Sequence, residues 1–287
     1  MIKKQYISFF ILCIVLLSWS CEDVIEVQTP SEAPRLIVDA LIRVDTTQTT
    51  NLVRVKVSET NNFFGTVPPA DLQQITMSNL DNPGGDEQVL LEESPGSGIY
   101  SKLFPTDQLV NDRWFLQIDF EDEFYVANAR FQPSVPFDSV VQGDQTLFNE
   151  DDTEIILSYT DFPDREDYYL FDFDNNNFFA SEDTFYRGQS FSFSYFYDDN
   201  LQTGDELEIS ILGINEDFYN YMNLLIDQSN EAASPFVTPS VTVRGNIINA
   251  TEIDNDSIFN NLNNSNNFAL GYFAIAQEFK TTITIED

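Results

Sequence analysis

The sequence predicts a mostly β protein built as two β-sandwich-like domains, the second carrying one amphipathic helix. Three observations predict it. Asn51 to Val57 reads NLVRVKV, with Val53, Val55 and Val57 on one face against Arg54 and Lys56, the period of two of a half-buried strand. Turn clusters at Asp81-Asn82-Pro83-Gly84-Gly85 and Ser94-Pro95-Gly96-Ser97-Gly98 punctuate the first half at sandwich spacing. The 26 phenylalanines and 12 tyrosines suit cores packed on pleated surfaces.

The elements follow in order. Pro34 to Val44 opens the folded part as a mostly apolar strand buried on both faces, and shorter strands are expected at Gln74–Leu80 and Glu87–Glu93. Arg113–Phe120 and Glu123–Phe131 form a hairpin joined at Glu121-Asp122. Gln132-Pro133-Ser134-Val135-Pro136 holds two prolines in four residues, which end a strand and stiffen the passage. The N-terminal sandwich therefore spans 34–132 and the C-terminal β-rich domain 137–287; both are of the Ig/transthyretin-like kind.

In the second domain Thr153–Tyr159, Tyr168–Phe173, Ser190–Tyr197 and Glu206–Ile214 read as strands. Phe191, Phe193, Tyr195 and Tyr197 share one face of SFSFSYFY. That stripe is either a sugar-stacking platform or a core-facing alternation, and the second is the commoner cause. Asn215 is a plausible N-cap, and Glu216 and Asp217 complement the helix dipole. Phe218, Tyr221, Met222, Leu225 and Ile226 recur at helical spacing, so a helix is expected over 216–229, ended by Pro235 at the latest. Asn255–Asn267 is an asparagine-rich loop, and Phe268–Gln277 and Lys280–Ile285 close the chain as two further strands.

The N-terminus says where the protein goes. Lys3 and Lys4 precede an apolar run of 14 residues, Tyr6–Trp19, too short for a spanning helix, which needs about 20. Leu17-Ser18-Trp19-Ser20-Cys21 then reads as a lipobox, so residues 1–20 form a lipoprotein signal peptide and Cys21 is the lipid attachment site, followed by a tether over 21–33. The bland alternative is an ordinary signal peptide with a chance cysteine. Three acyl chains at about 0.8 kcal/mol per methylene anchor far more firmly than one. Cys13 leaves with the signal, so no internal disulfide is available to the mature chain.

The chain carries 48 acids against 13 basic residues, a net charge of −35. Without Lys3 and Lys4 this becomes 11 basic residues and −37. Such a surface repels phosphate backbones, and no basic cluster offers to release counterions, so nucleic acid is not an expected partner. Surplus carboxylates that hold hydration in a saline environment explain the charge more simply than any acidic site. Histidine is absent, which removes Ser-His-Asp and Cys-His catalysis, histidine zinc sites and the usual base near neutral pH. The expectation is no enzyme, although a carboxylate pair of the glycosidase type stays open.

One metal loop is a candidate. Asp172, Asp174 and Asn176 stand at positions 1, 3 and 5 of a calcium loop, and Asp183 falls at position 12. Calcium is the one cofactor this pattern would imply. Asn177 replaces the usual glycine at position 6, and Asp and Asn are frequent enough here to give the pattern by chance.

Three stretches together carry a family resemblance: SCEDVIEV with PRLIVDALI, then WFLQIDFEDEFYVANARFQPSVPFDSV, then SPFVTPSVTVRGNIIN with ALGYFAI. They resemble the Bacteroidota lipoproteins catalogued as domain of unknown function 4249. The most specific piece couples Pro235–Asn246 to Leu270-Gly271-Tyr272-Phe273. The turn at Glu121-Asp122-Glu123 departs from the pattern by lacking a glycine, and Asn255–Asn267 lengthens a connection. The resemblance implies an outer-membrane lipoprotein encoded beside TonB-dependent, SusC-like transporters. Glu22 and Asp23, directly after Cys21, resemble the family's export signal to the cell exterior; an inward-facing periplasmic orientation is the alternative. The function implied is that of an accessory partner of a TonB-dependent transporter in ligand capture or delivery. The rival reading is a structural or adhesive cell-surface module without a transport partner.

Overall fold

The computed structural model describes residues 33–61, 65–82, 84–85, 87–147, 152–197, 201–232, 242–251 and 268–286. The protein is mostly β, with a large mixed sheet, a small three-stranded sheet and two helices among the described residues. The first half contains β1 (Leu36–Val44), β2 (Thr50–Glu59), β3 (Gln74–Asn79), β4 (Gln88–Val89), β5 (Leu91–Glu92) and β6 (Ile99–Pro105). The short helix α1 (Thr106–Asn111) follows, then β7 (Arg113–Phe120) and β8 (Glu123–Gln132). The second half contains β9 (Phe137–Gln142), β10 (Thr153–Thr160), β11 (Tyr168–Asp172), β12 (Phe178–Glu182), β13 (Ser190–Tyr197) and β14 (Glu206–Ile214). Helix α2 (Glu216–Ala232), β15 (Ile248–Asn249) and β16 (Leu270–Thr284) complete it.

The first half encloses one core. In β2, Val53, Val55 and Val57 are fully buried, as their alternation predicts. β1 also alternates, with Val38, Ala40, Ile42 and Val44 turned inward, so it is not apolar on both faces as expected. These side chains meet Ile75, Met77, Trp114, Leu116 and Ile118 from β3 and β7. Trp114 lies edge-on to Phe104 at 5.1 Å and donates its indole N–H to the Gln108 carbonyl at 3.2 Å. The β7–β8 hairpin turns where expected, with Phe120 paired to Glu123. Glu121 and Asp122 both take positive φ, 51° and 66°, the backbone of a type I′ turn without its usual glycine. Gln73 supports it by accepting the Glu121 N–H at 3.1 Å.

A second core lies between two sheets, and it is aromatic. The small sheet, in the order β13–β10–β9, packs Ile155, Leu157, Tyr159 and Tyr197 onto Tyr169 and Phe171 of β11 and Leu207, Ile209 and Ile211 of β14. The stripe of SFSFSYFY faces this core: Phe173 stacks on Tyr195 at 3.9 Å and Phe171 meets Phe193 edge-on at 5.1 Å. Helix α2 covers the opposite face, where Phe218, Tyr221, Met222 and Ile226 pack on Leu170, Leu212, Ile214 and Tyr272. Asn215 caps it as predicted, its side-chain oxygen accepting the Phe218 N–H at 2.9 Å.

The sheet does not break at the Pro133–Pro136 passage, and the first core draws Ile247, Ala269, Phe273 and Ile275 from beyond it. Pro34–Asp287 form one compact unit. The two closing strands expected at 268–277 and 280–285 are one 15-residue strand, β16. Its first part runs parallel to β1, from Ile37–Leu270 to Val44–Gln277, and its last part antiparallel to β14. Among the described residues its ladder with β8 covers only Ile275 and Ala276. Above that point Asn246 takes the place of a strand: its side chain accepts the Phe273 N–H and donates to the Phe273 carbonyl, both at 2.8 Å. Such intimacy needs glycine. A Cβ on Gly245 would sit 1.6 Å from the Gly271 oxygen, and Gly271 itself has φ +99° with Val38 O where its Cβ would go. The Asn255–Asn267 loop and Pro235 lie outside the described residues.

Two measurements follow from this packing. Gly245→Ala should destabilise the protein by about 3 kcal/mol in chemical denaturation, and Asn246→Ala by about 2 kcal/mol through the unpaired Phe273 amide, while Gly84→Ala, whose Cβ meets nothing, should be neutral. Burial, reinforced by nearby Asp39 and Asp217 respectively, pushes Tyr221 and Tyr272 up to about 12. The unfolded chain releases these protons near pH 10 while the folded one keeps them, so their stabilisation is complete below pH 10 and is lost as pH climbs towards 12. Melting temperature should therefore fall steeply above pH 10, together with the rise in tyrosinate absorbance.

Candidate functional site

Strand alternation builds the site. While β1 and β2 send valines inward, their other residues, Asp39, Leu41 and Arg43 with Leu52, Arg54 and Lys56, line the outer face. Ile99 of β6 extends that face and Phe178 of β12 walls it, enclosing an open cleft of about 440 Å³. Leu52 pairs with Leu103 across the strands, and both are exposed, so the floor continues as an apolar stripe.

The charges around this floor are largely matched. Arg43 donates to Glu278 at 2.9 Å and to Asp172, and Glu278 also accepts the Ser210 hydroxyl at 2.7 Å. Burial works against the charge on Arg43, but the bonds and attraction from Asp172 and Glu278 outweigh it and hold the guanidinium above its ordinary value. Arg54 grips Glu93 with two bonds of 2.8 and 3.2 Å. Lys56 stands opposite Asp39 in the β1–β2 register. An apolar floor edged by alternating charges suits reversible binding of a ligand or segment with mixed polarity. The lining supplies no hydroxyl or thiol nucleophile.

A second polar constellation sits at one end of the aromatic core. Asp161, Asp167 and Asp183 are all buried. Tyr169 places its hydroxyl 2.5 Å from Asp161 and 3.0 Å from Asp167. Asp161 also accepts the Gly188 N–H at 2.7 Å, and Asp167 is held by Arg165. Arg187 grips Asp183 at 2.9 and 3.1 Å, while Asp183 accepts the Asp167 N–H at 3.0 Å. The Tyr159 hydroxyl donates to Tyr186 at 2.9 Å, and Tyr186 meets Ser181 at 2.7 Å. Burial, then the Asp161 hydrogen bond, holds Tyr169 well above the ordinary phenol range. This network ties the β10–β11 and β12–β13 connections together and leaves Phe162 and Phe185 exposed at its rim, Phe185 by 90%.

The structure does not assemble the candidate calcium loop. Asp172 and Asp183 stand at opposite ends of the β11–β12 ladder, which pairs Asp172 with Phe178 at one end and Tyr168 with Glu182 at the other. Five residues of strand separate them by about 15 Å. Asp172 is committed to Arg43 and Asp183 to Arg187. Asp174, Asn175 and Asn176 instead form the hairpin turn, all at positive φ, with Asp174 O accepting the Asn177 N–H at 2.9 Å. Acidic spacing in a strand pair mimicked the spacing of a loop. Among the described residues no group of three acids or cysteines is placed to hold a metal. Cys21, Glu22 and Asp23 lie outside the described residues. The cleft has no signature in the sequence beyond the alternation that puts Arg54 and Lys56 on the face away from the valines.

The model of the domain of unknown function DUF4249 matches residues 22–282. The chain belongs to the DUF4249 family. No curated protein matches it. Among solved structures, 65% of the chain is similar to a red sea bream transglutaminase at 13% identity and a TM-score of 0.21. The similarity spans 29% of that protein, and a likeness so low carries no argument.

Removing the Tyr169 hydroxyl tests the network. Tyr169→Phe leaves Asp161 and Asp167 without their shared donor and should cost about 2 kcal/mol in urea denaturation, with the strand content by circular dichroism unchanged.

Proposed function

We propose that this DUF4249 chain is an outer-membrane lipoprotein facing the cell exterior, and that it serves as the accessory partner of a TonB-dependent (SusC-like) transporter in capturing or delivering that transporter's ligand. The observation that carries the reading is the order of parts along the chain. A short apolar run ends in a lipobox at Cys21, Glu22 and Asp23 follow at once, the family match begins at residue 22, and the compact body begins at Pro34. A tether of 13 residues reaches about 45 Å at most, enough to let the body cover a neighbouring pore on the same membrane.

Other features support the same reading. The lipobox at Cys21 would supply the attachment through its acyl chains. The charge of −37 left once Lys3 and Lys4 are gone, 11 basic residues against 48 acids, would keep the body off anionic head groups and free to turn on its tether. The open cleft over β1, β2 and β6 gives a surface for reversible contact with ligand or transporter.

The test has two arms. Cys21→Ser should abolish labelling by a palmitate analogue and move the protein from the membrane to the soluble fraction. Purification of the wild-type protein in mild detergent should recover a large barrel protein with it. An unlabelled wild-type protein would overturn the anchor, and recovery of the lipoprotein alone would overturn the transporter partnership.

A further inference from the structure

Opposite charges set directly across two antiparallel strands ordinarily pair, because such residues stand about 4.5–5.5 Å apart at Cα with their side chains on one face. Asp39 of β1 and Lys56 of β2 occupy such a position, and both line the open cleft. Among the described residues neither makes a hydrogen bond or an ion pair.

The other cations of the cleft are already bound. Arg43 holds Asp172 and Glu278, and Arg54 holds Glu93. One carboxylate and one ammonium are thus left open side by side, on a floor made apolar by Leu41, Leu52 and Ile99 and walled by Phe178. The space of about 440 Å³ lies within the range of small-molecule sites, about 300–1,000 Å³.

We propose that the cleft takes a free α-amino acid with a large apolar side chain, its ammonium on Asp39, its carboxylate on Lys56 and its side chain over Leu52, Ile99 and Phe178. Net charge selects this class. A body with 48 acids against 13 basic residues repels a simple anion from Lys56, and it draws a simple cation to any of its acids alike. A zwitterion has no net charge to be repelled or scattered, and a site that pairs both signs holds it by both ends. The two charges of an α-amino acid flank a single carbon, which suits one cross-strand pair; those of a longer peptide stand farther apart. As the cargo of the transporter, this amino acid rests on the reading proposed above.

Equilibrium dialysis of the purified full-length protein in mild detergent against radiolabelled L-phenylalanine tests this. One saturable site per chain is expected, weakening as salt screens the exposed pair. N-acetylphenylalanine, which lacks the ammonium, and phenylalaninamide, which lacks the carboxylate, should each compete at least tenfold more weakly than phenylalanine, and so should glycine. Asp39→Asn and Lys56→Met should each weaken binding at least tenfold and leave the melting temperature close to that of wild type, since both side chains are exposed. No saturable binding at millimolar phenylalanine overturns the proposal, and so does binding indifferent to both substitutions. Equal competition by either blocked analogue would assign the cleft to a simple anion or cation, and tighter binding of a dipeptide of two phenylalanines would assign it to a peptide; each overturns the amino acid. The transporter partnership is read separately, by the barrel protein recovered in mild detergent. A barrel recovered without phenylalanine binding overturns the cargo alone, and phenylalanine bound without a barrel overturns the partnership and the cargo role while leaving the binding site in place.

Discussion

The fold depends on one strand serving two cores. β16 pairs with β1 along its first half and with β14 along its second, so the last residues of the chain complete sheets begun by the first. Between β16 and β8 the direct ladder covers only two residues. The gap is bridged by the Asn246 side chain, which pairs with Phe273 as a peptide group would. That bridge works only because Gly245 and Gly271 let two backbones approach closer than any Cβ permits. Remote segments near 245 and 271 thus become one structural part. Pairing the two ends of a chain is slow, because the loop between them must be closed before the contact forms. The aromatic packing of the second half and the valine core of the first can form on more local contacts.

Scarce cations are spent on carboxylates that the fold needs. Arg43 binds Asp172 and Glu278 where β1, β11 and β16 converge, and Arg165 and Arg187 hold Asp167 and Asp183 beneath the surface. A buried carboxylate without such a partner would carry a desolvation penalty of several kcal/mol. Most of the other acids lie outside such networks and set the net charge instead. The distinction explains why acidic spacing alone misleads in this chain: Asp172 and Asp183 look like ends of one metal loop and are ends of two separate ion-pair networks.

Where a segment's own residues decided its conformation, the sequence was legible. The valines of β2, the alternation of β13, the run of β14 and the capped, striped helix α2 all appear within a few residues of their expected places. β6, α1, β9 and β12 left no readable signal. α1 has six residues, too few to show a period, and is fixed by Trp114 and Leu109. β12 begins with two adjacent phenylalanines, one turned to α2 and one to Phe193 of β13, which hides its period of two. The β7–β8 turn was placed correctly although its residues are poor for it, because flanking strands and Gln73 impose positive φ on Glu121 and Asp122. The cleft was invisible for a different reason. It needs β1, β2, β6 and β12 side by side, and only β16 and the Arg43 ion pairs bring them there.

The proposed lipid anchor would change what the surfaces of this body can achieve. Bodies held by lipid on one membrane, each within about 45 Å of its anchor, would share a thin layer rather than a volume with their neighbours. Effective concentration would rise accordingly, and a weak contact would become populated without any new interaction. That confinement would act on the open cleft, whose matched charges give selectivity more than strength. A charge-balanced cleft on an otherwise repulsive body would be a poor binding site for a diffusing protein. On a tethered one it would suffice, because the repulsion suppresses other contacts and the proposed anchor would supply the proximity.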